Sequence, residues 1–546
     1  MKRNYLTILI AFALSCRLAS DCSAQQSIPS APYEAAQWLE TNHCNVTKNS
    51  DGEVTGVELS YLPRVFVIGD LEVFPSLETV ELTYSSRLND SHMSGIARLT
   101  SLKKIVIRNC DSLTEASLSV LHYLPNLEEI ELSSCDSIFN LAPLRACQNL
   151  KRVKIADSAH FNFYGLQKIV TLPGLVQLEL NDNSTLRDEH LELLRDATGL
   201  ESLVLIGCDS ITDQGLEVLK ELPALRRLNL FRCSQVTGTA LEHVSAELEF
   251  LVLRQTGFNA DGLSHLRRLT RLKELYFGHH DSFNDESLLA IASSQQLEKL
   301  ALDGVAVNDQ HFSAMAECRN LKVLYLTECD NVTGESLARL AGSQLEVLEL
   351  IRCKRIDSPD LQSVALFSGL RHLDLTGTRI RAEGIAHLTT LENLEFLNLS
   401  DCKWVDDECL GFVGQLPSLN RLKLLEVKRV SDSGIAALGT MPSLRSLSIS
   451  DNRQVTGEGF GSFSAESPLK TLELFRLDNL SPDGLHCLVG LANLERLQIE
   501  CRHLNNDHLL AMQGIPRLKS FEIEEIENVD AEVYRRFYHS LPSYEH

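Results

Sequence analysis

The residues best suited to chemistry are the 15 cysteines, and their spacing argues against most of it. No pair stands as C-x-x-C, so neither a zinc site nor a thioredoxin-like pair is expected. His279-His280-Asp281 offers metal-ligating side chains, but adjacent residues seldom ligate together. Gly457-Glu458-Gly459-Phe460-Gly461 is glycine-rich, yet it lacks the spacing and strand context of a phosphate loop. Glu129 and Glu131 form a carboxylate pair for which a solvated acidic row is the expected reading. H-E-x-x-H, G-x-S-x-G and G-x-x-x-x-G-K-[ST] do not occur. The chain therefore reads as a non-enzyme, with no catalytic residue, cofactor or metal expected. Six N-x-[ST] sequons, at Asn45, Asn89, Asn183, Asn331, Asn398 and Asn479, matter only in a glycosylating host.

Composition narrows the partners. The chain has 546 residues, 44% of them apolar and 23% charged, which is globular and not disordered. Acidic residues number 74 against 51 basic, a net charge of -23. Nucleic acid and anionic membrane are disfavoured, because both need clustered Lys and Arg. Lys2 and Arg3 precede an apolar run from Leu6 to Leu14, and small residues lie at Cys22-Ser23-Ala24 before Gln25. That order predicts a secretory signal over 1–24 and a secreted, periplasmic or cell-envelope location. Its removal takes away three basic residues and one acidic one, leaving -25, and 13 cysteines. No later segment has the 18 unbroken apolar residues of a membrane span.

The elements that must position any site follow one period. The block L-x-x-L-x-L starts at Leu77, recurs at Leu102 (Leu102, Ile105, Ile107) and Leu127 (Leu127, Ile130, Leu132), and continues to Leu518. Nineteen starts fall at steps of 23 to 25 residues, and a further unit is expected from Val54. The alternation L-x-L predicts a strand with one buried face. A turn follows, then a helix start such as Thr212-Asp213-Gln214-Gly215-Leu216. Thr212 is placed to cap the helix and Asp213 to sit at the positive end of its dipole. Leu216 and Leu219 share a helix face, and Pro223 stops the helix.

One such unit cannot bury its apolar side, whereas stacked units bury it against each other. Strands pack ~4.8 Å apart and helices ~10 Å apart. The expected fold is thus an α/β solenoid, with parallel strands on a concave face and helices on a convex face. Residues 54–529 form the array of about 20 units. Residues 25–53 read as an N-terminal cap of helix plus hairpin, with the turn at Asn49-Ser50-Asp51-Gly52. Residues 530–546 read as a C-terminal cap in which Asp530 starts a helix through Tyr534 and Phe537.

The unit L-x-x-L-x-L-x-x-C-x-x-[IV]-T-x-x-x-L-x-x-L resembles the cysteine-containing leucine-rich repeat, a relative of the ribonuclease-inhibitor horseshoe. Its cysteine position is filled by Cys110, Cys135, Cys208, Cys233, Cys329, Cys353 and Cys402. Asn183, Thr256, Thr378 and Asn452 replace it elsewhere. These thiols are expected to be small buried groups bonded to a neighbouring loop, although the pairs 110/135, 208/233 and 329/353 are near enough in register to cross-link. Many eukaryotic relatives carry an F-box before the array and present substrates to a ubiquitin ligase. Here a signal-like segment and about 29 residues stand before Val54, an arrangement more similar to secreted bacterial repeat proteins. The resemblance implies a protein-binding scaffold, with a ubiquitin-ligase adaptor as the alternative.

A partner would meet the inner-face residues that alternate with the buried leucines, plus the residue after each strand. In the middle units these are Ile206, Phe231, Arg232, Phe250, Arg254, Tyr276, Tyr325, Ile351 and Arg352. Aromatic residues and Arg are the types that anchor interfaces. Phe231, Arg254 and Tyr276 are expected to meet, with Arg232 and Arg352 giving a local positive spot. A protein partner and a monomeric scaffold are the expected reading.

Overall fold

In a computed structural model, residues 28–541 are described, apart from 43, 61–66, 86–87, 159, 280–284 and 525–527. The signal-like segment over 1–24 and the residues after 541 lie outside them. The chain divides between Leu200 and Glu201 into two compact units.

The first unit opens with a helix over Pro32–Thr41, whose Ala35, Ala36 and Leu39 are buried. Strand Asn45–Lys48 then pairs antiparallel with Val54–Ser60. Asn49 Oδ1 accepts hydrogen bonds from the Asp51 and Glu53 amides, and Gly52 takes the left-handed conformation that closes this turn. Parallel pairing then runs from Val54–Ser60 through Thr79–Thr83, Lys104–Arg108, Glu129–Ser133 and Arg152–Ala156 to Gln177–Asn181.

The second unit is a parallel sheet from Ser202–Val204 to Ser520–Glu524. Its register is set by one apolar residue per strand. Leu203 pairs with Leu228, Leu228 with Leu251 and Leu251 with Leu275, and the row continues to Phe521. Every member of the row is buried. A one-residue slip in any strand would turn its leucines to solvent, so burial fixes the register. The unit closes on the helix Ala531–His539, capped by Asp530, whose Phe537 packs edge-on against Phe521 at 4.9 Å.

The return side of many repeats is tighter than the sequence suggests. Asp213–Leu216 is one α-helical turn, continued as 3₁₀ helix over Glu217–Glu221. Leu216 and Leu219 are both buried. In a 3₁₀ helix, residues three apart eclipse, so this spacing suits the tighter coil, which also fits a short repeat. Longer α-helices, such as Ala382–Leu388 and Asp407–Val413, occur further along.

The repeat-position thiols bind backbone. Cys135, Cys233 and Cys402 donate to the carbonyls of Ile107, Leu205 and Leu375 at 3.4, 2.7 and 3.1 Å. The asparagine substitutes make the same kind of bond, as Asn183 Nδ2 does to the Ile155 carbonyl at 3.0 Å and Asn452 Nδ2 to the Val427 carbonyl at 2.5 Å. The 13 described cysteines are free thiols, including the pairs 110/135, 208/233 and 329/353. Asn183 is buried in its bond, which leaves its sequon no room for a glycan.

Candidate protein-binding face

The sheet places outward-facing residues of the middle repeats in rows. One row runs Arg227, Phe250, Glu274, Lys299, and the next runs Asn229, Val252, Tyr276, Ala301, Tyr325. Diagonal contacts join the two rows. The Arg227 guanidinium lies 3.9 Å from the Phe250 ring centre, and the Phe250 and Tyr276 rings are 5.6 Å apart. The Lys299 ammonium stands 5.3 Å from the Tyr276 ring and 4.8 Å from the Tyr325 ring. Ala301, small and buried, separates the two tyrosines on the sheet, so Lys299 leans over the notch between them. Five side chains from five successive strands thus form a run of two cations and three rings, with Arg227 at one end and Lys299 between the tyrosines. Burial opposes the Lys299 charge, but Tyr276 and Tyr325 outweigh it and raise its pKa. Tyr276 donates its hydroxyl to Glu274 at 3.1 Å.

Of the residues expected to form the site, Phe250, Tyr276 and Tyr325 join this ladder. Ile206, Phe231 and Arg254 continue a different row. The Gly207 amide donates to the Phe231 carbonyl, and the Arg232 amide donates to the Arg254 carbonyl. Tyr276 does not join Phe231 and Arg254, because its register partner is Val252, two residues before Arg254. Its ring neighbour is Phe250 instead. Arg254 is ion-paired with Asp303, which also lies 3.2 Å from His279. Ile351 stands four strands beyond Arg254 in the same row. Arg232 and Arg352 occupy the left-handed turn that ends each strand, and Arg352 faces Glu328 at 3.4 Å. The site's cations are thus Arg227 and Lys299, which the sequence reading left out. The available signal was the strand position that Phe250 itself occupies.

The other chemical candidates resolve into structure. His280 and Asp281 lie outside the described residues, and no group of three metal-ligating side chains occurs among those described. The glycine-rich segment is filled from within: the Thr456, Gly457 and Gly459 amides donate to the Asp432 carboxylate at 3.0 Å each. Glu129 and Glu131 are clamped rather than simply solvated. Lys104 and Arg152 hold Glu129, each at 2.7 Å, and Arg108 and Lys154 hold Glu131. Burial works against both charges, but these cations outweigh it and keep both carboxyls below the ordinary range.

A family model described as a leucine-rich repeat matches residues 440–464. No curated protein matches the chain in sequence. The fold is similar to that of TLR13, solved in complex with ssRNA13, at a TM-score of 0.58 and 16% identity over 86% of this chain and 70% of that one. It is also similar to mouse RP105, solved with MD-1, at 0.57 and 17% over 88% and 85%. No helix among the described residues is long and apolar enough to cross a membrane. Repeat register, parallel sheet and these likenesses together give the chain the α/β fold of leucine-rich-repeat solenoids.

Proposed function

We propose that this is an exported, monomeric and non-catalytic scaffold that binds another protein on the inner face of its middle repeats. The observation that carries the reading is the ladder Arg227, Phe250, Tyr276, Lys299 and Tyr325. Its rings and cations are half-buried or exposed, and they project from a rigid sheet. Such residues contribute most of the binding energy in protein interfaces, and here little conformational freedom is lost on contact. The surrounding Glu274, Asp303 and Glu349 favour a protein with acidic and aromatic groups at its centre over a polyphosphate chain. RP105 and TLR13 were both solved as complexes, one with MD-1 and one with RNA. Residues 25–53 and 530–546 serve as caps over the two ends of the array 54–529.

The test is affinity for the protein recovered with this chain from the extracellular or envelope fraction. Phe250→Ala and Tyr276→Ala should each cost ~2 kcal/mol or more of binding, while folding is spared because neither leaves a core cavity. Unchanged affinity in both variants, with folding intact, would move the binding surface elsewhere.

Export rests on the basic–apolar–small order of residues 1–24. The buried thiols fit an oxidising compartment, since burial pushes Cys135 and Cys329 up to about 12 and the thiolate is the reactive form. Intact-mass analysis of native protein should find a chain beginning near Gln25. Soluble cytosolic material retaining Met1 would overturn this part of the proposal.

A further inference from the structure

We infer that the loops leaving four successive strands, from Val347–Ile351 to Arg421–Leu425, form a second binding surface, which takes an acidic segment of a partner protein. These loops carry Arg355, Arg379, Arg381, Lys403, Lys428 and Arg429, all exposed. The bridges Asp357 to Arg379 and Asp406 to Arg429 hold neighbouring loops side by side, parallel to one another. At the strand spacing of ~4.8 Å, four loops make a strip roughly 14 Å long. In its middle stands Trp404, 42% exposed. The Arg381 guanidinium is 4.4 Å from the Trp404 ring, and that of Arg429 is 5.8 Å away.

The strip is not a by-product of the repeat. The residue after the motif cysteine is aspartate at 111, 136, 209 and 330, but lysine at 354 and 403. The positive charge is therefore local, in a chain whose net charge is -23. Its compensation is partial: Arg429 has Asp406 at 3.9 Å, Arg379 acts on Asp357 and Lys428 on Asp451, whereas Arg355, Arg381 and Lys403 have no ion pair among the described residues. Like charges gathered this way repel one another, and an incoming anion relieves that repulsion.

The chemistry favours carboxylates on a polypeptide. Guanidinium forks match planar carboxylates with two parallel bonds, and the ring holds two of these forks in place. An exposed Trp among arginines is the composition of a protein-interface anchor. Alternate side chains of an extended peptide repeat every ~6.6 Å, so about three acidic residues fit along the strip. This surface is separate from the aromatic ladder and does not depend on it.

The test is fluorescence anisotropy with the full chain and a labelled peptide of alternating Glu and Ser. A heparin fragment and an oligo-dT of equal charge serve as comparators. The peptide should bind saturably and weaken with added salt. The double variant R379E/K403E should lose tenfold or more, and W404A at least fivefold. The neutral double R379Q/K403Q should fall between wild type and the reversed pair, and circular dichroism should show all variants folded. The proposal is overturned if the peptide does not bind at low salt, if folded R379E/K403E or W404A binds as wild type, or if either comparator binds more tightly than the peptide.

Discussion

Leu205→Ala should lower the free energy of unfolding by ~2–5 kcal/mol, through lost burial and the cavity left behind. Leu205 is fully buried just beyond the strand Ser202–Val204. Its amide donates to the Asn229 carbonyl at 2.8 Å, and its own carbonyl accepts the Cys233 thiol at 2.7 Å. The backbone bonds pin the chain, so neighbouring residues cannot simply slide in to fill the space. In a stacked array each repeat is stabilised mainly by its neighbours, so a cavity at Leu205 weakens the packing on the next repeat of its unit. Denaturant titration at neutral pH reads the effect as a fall in midpoint at constant slope. An unchanged midpoint would mean that Leu205 faces solvent and that the register is displaced by one residue.

That register was legible because it rests on a short-range rule repeated many times. The alternation L-x-L states which side chains are buried, and the 23-to-25-residue step states which leucines become neighbours. The cysteine position was legible for a related reason. Asn183 and Asn452 share with a thiol the capacity to bond a carbonyl of the preceding repeat, Ile155 and Val427 at 3.0 and 2.5 Å, whereas Thr256 and Thr378 bond carbonyls of their own turn, Leu253 and Leu375 at 3.3 and 2.6 Å. The tightness of the return helices was hidden, since i and i+3 apolar residues fit one face of an α-helix and a 3₁₀ coil alike.

The binding face was only partly legible. Alternation identifies which residues leave the sheet on the open side, but not which diagonal neighbours touch. Phe250 and Tyr276 sit in different rows, and their contact depends on side chains crossing between strands. Charge was harder still to read. Arg254 counts as a cation in the sequence, yet Asp303, two strands away and 49 residues later, neutralises it. Arg227 and Lys299 supply the positive charge instead, because rings lie beneath them. The left-handed turn at Arg232 and Arg352 has no sequence signal of its own, since most repeats place a residue other than Gly there.

Asp213 shows what sequence spacing held without declaring it, and it supports the second large effect. As the first residue of its helix, it has in the helix dipole one reason for its charge. In the structure its carboxylate also reaches the next repeat. It accepts from the Thr237 amide and hydroxyl at 2.7 and 2.8 Å, and from the Gly238 and Ala240 amides at 2.9 Å each. The same bridge links Asp90 to Thr114, Asp407 to Ser431 and Asp432 to Thr456, always 24 residues apart. Burial opposes the Asp213 charge, but the Ala240, Thr237 and Gly238 amides outweigh it and hold the carboxyl below the ordinary aspartate range. Asp213→Ala should therefore cost about 3 kcal/mol at pH 7, because hydrogen bonds to a charged group contribute ~1.5–3 kcal/mol and three amides are left unpaired. Asp213→Asn should cost less, since its carbonyl oxygen still accepts. The sign with pH follows from the lowered pKa. The contribution is complete above the unfolded value of about 3.9 and is lost as pH falls through the lower folded value. Wild type and Asp213→Ala should therefore differ most near pH 7 and converge on acidification below about pH 4. Equal stability at pH 7, or a difference that persists unchanged into acid, would show that the carboxylate does not join the repeats.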